Sequence, residues 1–297
     1  MFPEKGLSME LAQRCITASS LTQALAALAA PDGAVVLAGG TDLMPQSAVG
    51  KIKPAGALLN IRRIPGLNTI SQVDGRLRIG ALVTLSTLLE DAQVRRHASL
   101  LSTAADHFAS EQIRNAATIG GNLCNASPAG DTLTPLLALD AEVELASLAA
   151  DGSGSSRRLP VDGFFTGPGR TQRAPNELLV AVQLPLAPAG QVARFYKSGV
   201  RPALDISSIS IAFAARRDGA VWRDVRIALG AVAPTPIRAR HAEGVLEGQA
   251  PDAARIAQAA EAAALQDARP IDDVRASAWY RRELVRNMIQ RMLSDVT

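Results

Sequence analysis

Two glycine pairs, Gly39-Gly40 and Gly120-Gly121, constrain this chain more than any other feature of its 297 residues. A residue without a Cβ lets backbone approach a ligand closely, so paired glycines can turn several N–H groups toward one anion. The run Ala34-Val35-Val36-Leu37-Ala38 is short, apolar and β-branched. It reads as a buried strand that delivers the chain into Gly39-Gly40-Thr41-Asp42-Leu43. The second pair stands in Thr118-Ile119-Gly120-Gly121-Asn122, where a hydroxyl and an amide add donors. Neither loop has the spacing of a Walker or a Rossmann turn. Two such loops suit one diphosphate, while either alone is equally a tight turn. Asp42 reads as a cap of its turn, because a second anion beside a phosphate would be repelled. Asp131, in Ser127-Pro128-Ala129-Gly130-Asp131, suits the hydroxyls of a sugar or ribityl chain, or else caps the helix that follows.

The segments around these loops imply an α+β chain. Ser20 to Ala30 reads as a helix stopped by Pro31-Asp32-Gly33, and Ala57 to Ile61 as a second strand. Asn68 to Val73 and Arg76 to Ile79 form a hairpin around Asp74-Gly75. A helix begins at Thr84, and apolar spacing predicts one long helix from Leu100 to Arg114. Asp131 to Leu139 is helical, Glu142 to Leu148 a strand, and Asp151 to Ser156 a flexible turn. Glu177 to Leu184, Val192 to Ser198, Ile206 to Arg216 and Val221 to Val232 alternate as antiparallel strands, and helices close the chain from Ile237 onward. A domain boundary is placed near residue 175, with 1–175 divided into 1–62 and 63–175, and 176–297 following.

Composition excludes several classes. The net charge is +3 and aromatic residues are 3%, so the basic face and stacking rings of a nucleic-acid binder are missing. Cys15 and Cys124 are too few for an iron–sulfur cluster, and His97, His107 and His241 show no ligand spacing, so no metal is expected on this chain. Met1 to Leu11 lacks the apolar core of a signal peptide, and no run reaches the roughly 20 apolar residues of a membrane span. A cytoplasmic location is the expectation.

Taken in order, Ala38 to Leu43, Ile113 to Asn115, Ala117 to Asn122 and Ser127 to Asp131 resemble the FAD-binding subunits of molybdenum hydroxylases, the family of xanthine and carbon monoxide dehydrogenases. So do Ile79-Gly80-Ala81, Phe164 to Pro168, Tyr196-Lys197, Arg201 and Asp205-Ile206. The resemblance implies a two-part FAD-binding domain of the vanillyl-alcohol-oxidase type, then a smaller domain of antiparallel strands and a helical cluster. It implies that Leu37, Ala38, Gly39, Gly40, Thr41, Asp42 and Leu43, with Thr118, Ile119, Gly120, Gly121 and Asn122, hold FAD. Asp131 would bind a hydroxyl of the cofactor, Leu179 would pack by its ring, and Lys197 would lie near the ring and raise its potential. Arg201 would orient the ring edge or an acceptor. Partner chains would carry [2Fe–2S] clusters (a small iron–sulfur subunit) and the molybdenum cofactor (a large subunit). NAD is the preferred acceptor, and xanthine or another N-heteroaromatic the substrate. The segment before Ser20 departs from the family pattern. Two rival readings are a stand-alone flavin oxidase or reductase, holding flavin covalently through Cys124 or His97, and a non-catalytic assembly module of the same fold.

Overall fold

The computed structural model describes residues 14–52, 56–149, 151–201 and 204–297. Met1 to Leu11, read above for a signal peptide, lies outside them. The chain opens with β1 (Arg14–Thr17), α1 (Leu21–Ala29), β2 (Ala34–Leu37), α2 (Leu43–Ala48) and β3 (Ala57–Asn60). The strands form a parallel sheet in the order β1-β3-β2. Helix α1 starts at Ser20, whose side chain accepts from the N–H of Gln23, and Leu25 and Leu28 of its inner face are buried.

Next come β4 (Ile70–Val73), β5 (Arg76–Gly80), α3 (Leu85–Glu90), α4 (Ala92–His97), α5 (Ser99–Asp106), α6 (Glu111–Arg114), α7 (Ile119–Asn125) and α8 (Leu133–Ala138). They are followed by β6 (Glu142–Leu148), β7 (Gly154–Pro160), β8 (Phe165–Gly167), β9 (Arg170–Thr171) and β10 (Leu178–Pro185). A five-stranded antiparallel sheet runs β4-β5-β10-β6-β7. Because β10 lies in its middle, this sheet continues to Pro185, past the cut drawn near residue 175.

Two local expectations are corrected. The helix expected over Leu100 to Arg114 breaks after Asp106, and Ala109 takes a left-handed φ of 38° before Ser110 caps α6 by accepting from the N–H of Ile113. The turn expected over Asp151 to Ser156 stops early, and Gly154 to Pro160 pairs with β6 along seven residues as an edge strand.

The last part holds β11 (Gln191–Ser198), β12 (Ile209–Asp218), β13 (Val221–Gly230) and β14 (Ile237–Arg238), a sheet in that order. Helices α9 (Arg240–Leu246), α10 (Ala253–Ala262), a π-helical turn (Ala263–Asp267) and α11 (Ala278–Ser294) follow. Strand alternation gives this sheet two unlike faces. Ile209, Ile211, Phe213, Ile227 and Leu229 pack with α9, α10 and α11. Ala212, Ala214 and Ala228 point the other way and join the core of the five-stranded sheet with Leu133, Leu136 and Leu137 of α8. Small side chains let α8 lie close to β12 and β13, and the N–H of Ala231 donates to the Pro128 carbonyl at 2.8 Å across the same junction. Among the described residues, no helix is long and apolar enough to cross a membrane.

Candidate functional site

The first glycine loop joins β2 to α2. Gly40 has φ +73°, a conformation that favours glycine, and its carbonyl accepts from the N–H of Met44. Among the described residues, no acceptor takes the N–H groups of Gly39, Gly40, Thr41 or Asp42. Four adjacent donors are thus left for a ligand. Asp42 stands at the N-cap position of α2 but makes no capping bond. Its carboxylate accepts from Gln46 Nε2 at 2.5 Å instead, one turn along the helix, which corrects the capping role expected of it.

The second glycine pair is built for another purpose. Thr118 caps α7, its Oγ1 accepting from the N–H of Gly121 at 3.0 Å, so Gly120 and Gly121 lie in a first helical turn rather than in a loop. The N–H groups of Ile119 and Gly120 donate to Val83 and Ala81 carbonyls, and that of Asn122 to the Thr118 carbonyl. The backbone N–H groups of Ile119, Gly120, Gly121 and Asn122 are therefore used within the protein. Gly120 is there for packing: a Cβ on it would stand 2.7 Å from the Ala81 Cβ and 2.8 Å from the Ala81 carbonyl oxygen. Asn122 accepts from Thr132 Oγ1 at 2.7 Å, which leaves its amide NH2 unspent.

The two segments nevertheless meet. A Cβ on Gly39 would fall 2.0 Å from the Ala116 carbonyl oxygen, so only glycine admits this approach. A cleft of about 220 Å³ opens along the contact, with Ala38 and Gly39 on one side and Asn115, Ala116 and Thr118 on the other. Among the described residues Arg62 is the one charged residue lining it, with polar groups from Asn68, Thr84 and Thr87. Free N–H groups, a lone cation and a wall without carboxylates fit a diphosphate. Arg62, Asn68, Thr84 and Thr87 escaped sequence reasoning because separate segments bring them together; only Thr84 carried a local signal, as the cap of α3.

A second cleft, of about 310 Å³, starts beside the first, since Arg114 lines one and Asn115 the other. Its lining includes His107, Lys197, Arg201 and Asp205. Lys197 comes from β11, and its ammonium donates to Asp131 Oδ2 at 2.7 Å and to the His107 carbonyl at 2.9 Å. Asp131 Oδ1 accepts from Ser207 Oγ at 2.8 Å. Only 9% of the Asp131 side chain and 6% of Lys197 are exposed. Burial pushes the Asp131 carboxyl up even though Lys197 and Ser207 pull it down. Both carboxylate oxygens are thus engaged by the C-terminal part of the chain, where a cofactor hydroxyl was expected.

Arg201 lies in the loop after β11, its guanidinium bonded to the Leu204 carbonyl, and the Asp205 carboxylate gathers the N–H groups of Val200, Arg201 and Ile206. Leu179, expected by the ring, is 3% exposed within the core and lines neither cleft. Burial pushes the Cys124 thiol up, the opposite of the thiolate that a covalent flavin link at this residue would require. No group of three metal-ligating side chains occurs among the described residues.

Comparison with known proteins agrees with this geometry. A family model described as FAD binding domain in molybdopterin dehydrogenase matches residues 9–187, and one described as CO dehydrogenase flavoprotein C-terminal domain matches 194–296. The putative xanthine dehydrogenase FAD-binding subunit XdhB of Escherichia coli (strain K12) is 36% identical over 281 residues, 94% of each chain. The nicotine 6-hydroxylase medium subunit of Paenarthrobacter nicotinovorans is 30% identical, covering 95% of this chain and 96% of its own. Among solved structures, carbon monoxide dehydrogenase from Hydrogenophaga pseudoflava, in a form lacking the Mo-pyranopterin moiety of the molybdenum cofactor, matches with a TM-score of 0.88 at 31% identity, over 95% of this chain and 96% of that one. The chain therefore belongs to the molybdenum hydroxylase family as an FAD-binding medium subunit.

Proposed function

We propose that this chain takes electrons onto FAD from [2Fe–2S] clusters of a small partner subunit, themselves fed by the molybdenum centre of a large one, and passes them to an external acceptor, NAD by preference. The observation that carries the reading is the first cleft, lined by Gly39 and Arg62, at the start of a loop whose N–H groups from Gly39 to Asp42 have no acceptor among the described residues. The sequence has two cysteines, short of the four thiolates that hold a cluster. When bound, FAD would supply the change from single electrons to a pair, and the protein supplies seating, orientation and charge.

Leu37 and Leu43 fix the ends of the first loop by closing β2 and opening α2. Thr118 and Asn122 offer a hydroxyl and a free amide toward the middle of the cofactor. The ring extends into the second cleft beside Lys197 and Arg201, because FAD is too long for the first cleft and α6 leads from one to the other. The complex is read as cytoplasmic, and its action on xanthine or another N-heteroaromatic is supported by the names of several relatives, which include nicotine, nicotinate and xanthine enzymes.

The test is to purify the chain with the subunits that accompany it and precipitate it with acid. Free FAD in the supernatant, bleaching by xanthine and reoxidation by NAD are the expected results. Flavin that stays with the pellet, or a chain that purifies alone and yellow with its own substrate oxidation, overturns the subunit reading.

A further inference from the structure

Lys197 crosses from β11 to a carboxylate that belongs to the other half of the chain. Asp131 sits just before Thr132, whose hydroxyl holds Asn122 in the first turn of α7, so the pair is tied by one residue to the glycine turn. On its far side Asp131 is held by Ser207, which is fully buried. Lys197 also lines the second cleft, while Asp131 does not. A cation at the wall and an anion behind it form a dipole with its positive end toward the cleft. In a site shielded from water the anion offsets much of the cation's field, because little solvent intervenes.

We propose that Asp131 is a positioning residue for the bound flavin that acts through Lys197, fixing where the ammonium lies and cancelling part of the positive field it casts on the ring. The proposal rests on the reading that the flavin ring occupies the second cleft. Three arrangements on the page support it. Lys197 spends two of its three donors on Asp131 and the His107 carbonyl, which leaves one for the cleft. Ser207 prevents the carboxylate from turning away. Burial raises the cost of the Asp131 charge, and the hydrogen bonds from Lys197 and Ser207 offset it. A carboxylate serving only to join the two halves of the chain would have no effect on a redox potential.

The experiment is a two-by-two comparison in the complex purified with its accompanying subunits: wild type, Asp131→Asn, Lys197→Met and the double variant. FAD per chain is measured first, and the flavin midpoint potential then by redox titration at the flavin's own absorbance band. Asp131→Asn is expected to raise the midpoint where Lys197 is present and to leave it unchanged in the Lys197→Met background. An unchanged midpoint in Asp131→Asn with normal FAD content overturns the proposal, as does an equal shift in both backgrounds. If Asp131→Asn does not fold, Ser207→Ala keeps both charges and loosens the carboxylate; a smaller upward shift is expected there, and no shift overturns the proposal. A wild-type complex without FAD overturns the reading of the site itself, which separates the two failures.

Discussion

At Gly39 a single missing carbon decides whether the two sides of the first cleft can touch. The Ala116 carbonyl oxygen lies 2.0 Å from where a Cβ would be, and it belongs to backbone that cannot swing aside as a side chain would. Gly39→Ala should therefore part the loop from Asn115 to Thr118 and weaken FAD binding at least tenfold, about 1.4 kcal/mol. Flavin absorbance per chain after gel filtration measures it, and undiminished flavin would show that the loops need not meet. Gly40 has a different reason to be glycine, its φ of +73°, and Gly120 a third, the closeness of Ala81. Three glycines that look alike in sequence thus answer to a carbonyl oxygen, a backbone angle and a methyl group.

Among the elements, those with a local signal were legible before the structure was known. Ser20 and Thr84 start helices as capping residues do, and each accepts the expected backbone N–H. The hairpin at Asp74-Gly75 and the alternation of β12 and β13 were equally plain. What was hidden depended on distant partners. Apolar spacing runs through Phe108 and Ile113 as if the helix continued, and the break at Ala109 is visible only in φ. The second glycine pair read as a copy of the first until carbonyls of Ala81 and Val83 claimed its donors. Strand β7 resembles a loop because it is an almost fully exposed edge strand.

That edge strand is pinned through its side chains as well as by β6. Arg157 grips the Glu177 carboxylate at 2.6 and 2.9 Å, and Glu177 also accepts from the N–H of Ala174, joining β7 to the start of β10. The Arg157 hydrogen bonds hold the Glu177 carboxyl below its ordinary value of 4.5. A depressed carboxyl contributes stability above that value and loses it as the pH falls through the lowered one. Glu177→Gln should thus be less stable than wild type at pH 7 by about 1 kcal/mol, since Arg157 is partly exposed, and the gap should close as the pH drops below 4.5. Urea unfolding at pH 7 and pH 4 measures it; a gap that stays constant with pH would contradict the pairing.

Over the whole molecule, the junction between the five-stranded sheet and the C-terminal sheet depends on alanine. Ala212, Ala214 and Ala228 allow α8 to settle against β12 and β13, while larger residues on the opposite face hold the terminal helices. Ala212→Leu would overpack this junction and is expected to cost about 1–3 kcal/mol, with FAD retention falling as Lys197 is drawn from Asp131. The urea midpoint and the flavin content should fall together. A lowered midpoint with full flavin would mean that the junction and the cofactor site are uncoupled.

The Lys197–Asp131 bond also bears on how the chain can be divided. A fragment ending at Pro185 would retain both glycine turns, the first cleft and every strand of the second sheet. It would also retain a carboxylate shaped to be covered, now without the ammonium and hydroxyl that satisfied it, beside a row of uncovered leucines on α8. The seam between the two matched family regions, 9–187 and 194–296, is therefore not a place to cut. Either piece made alone should seek the other, and mixing two separately expressed halves is the natural way to watch them rejoin.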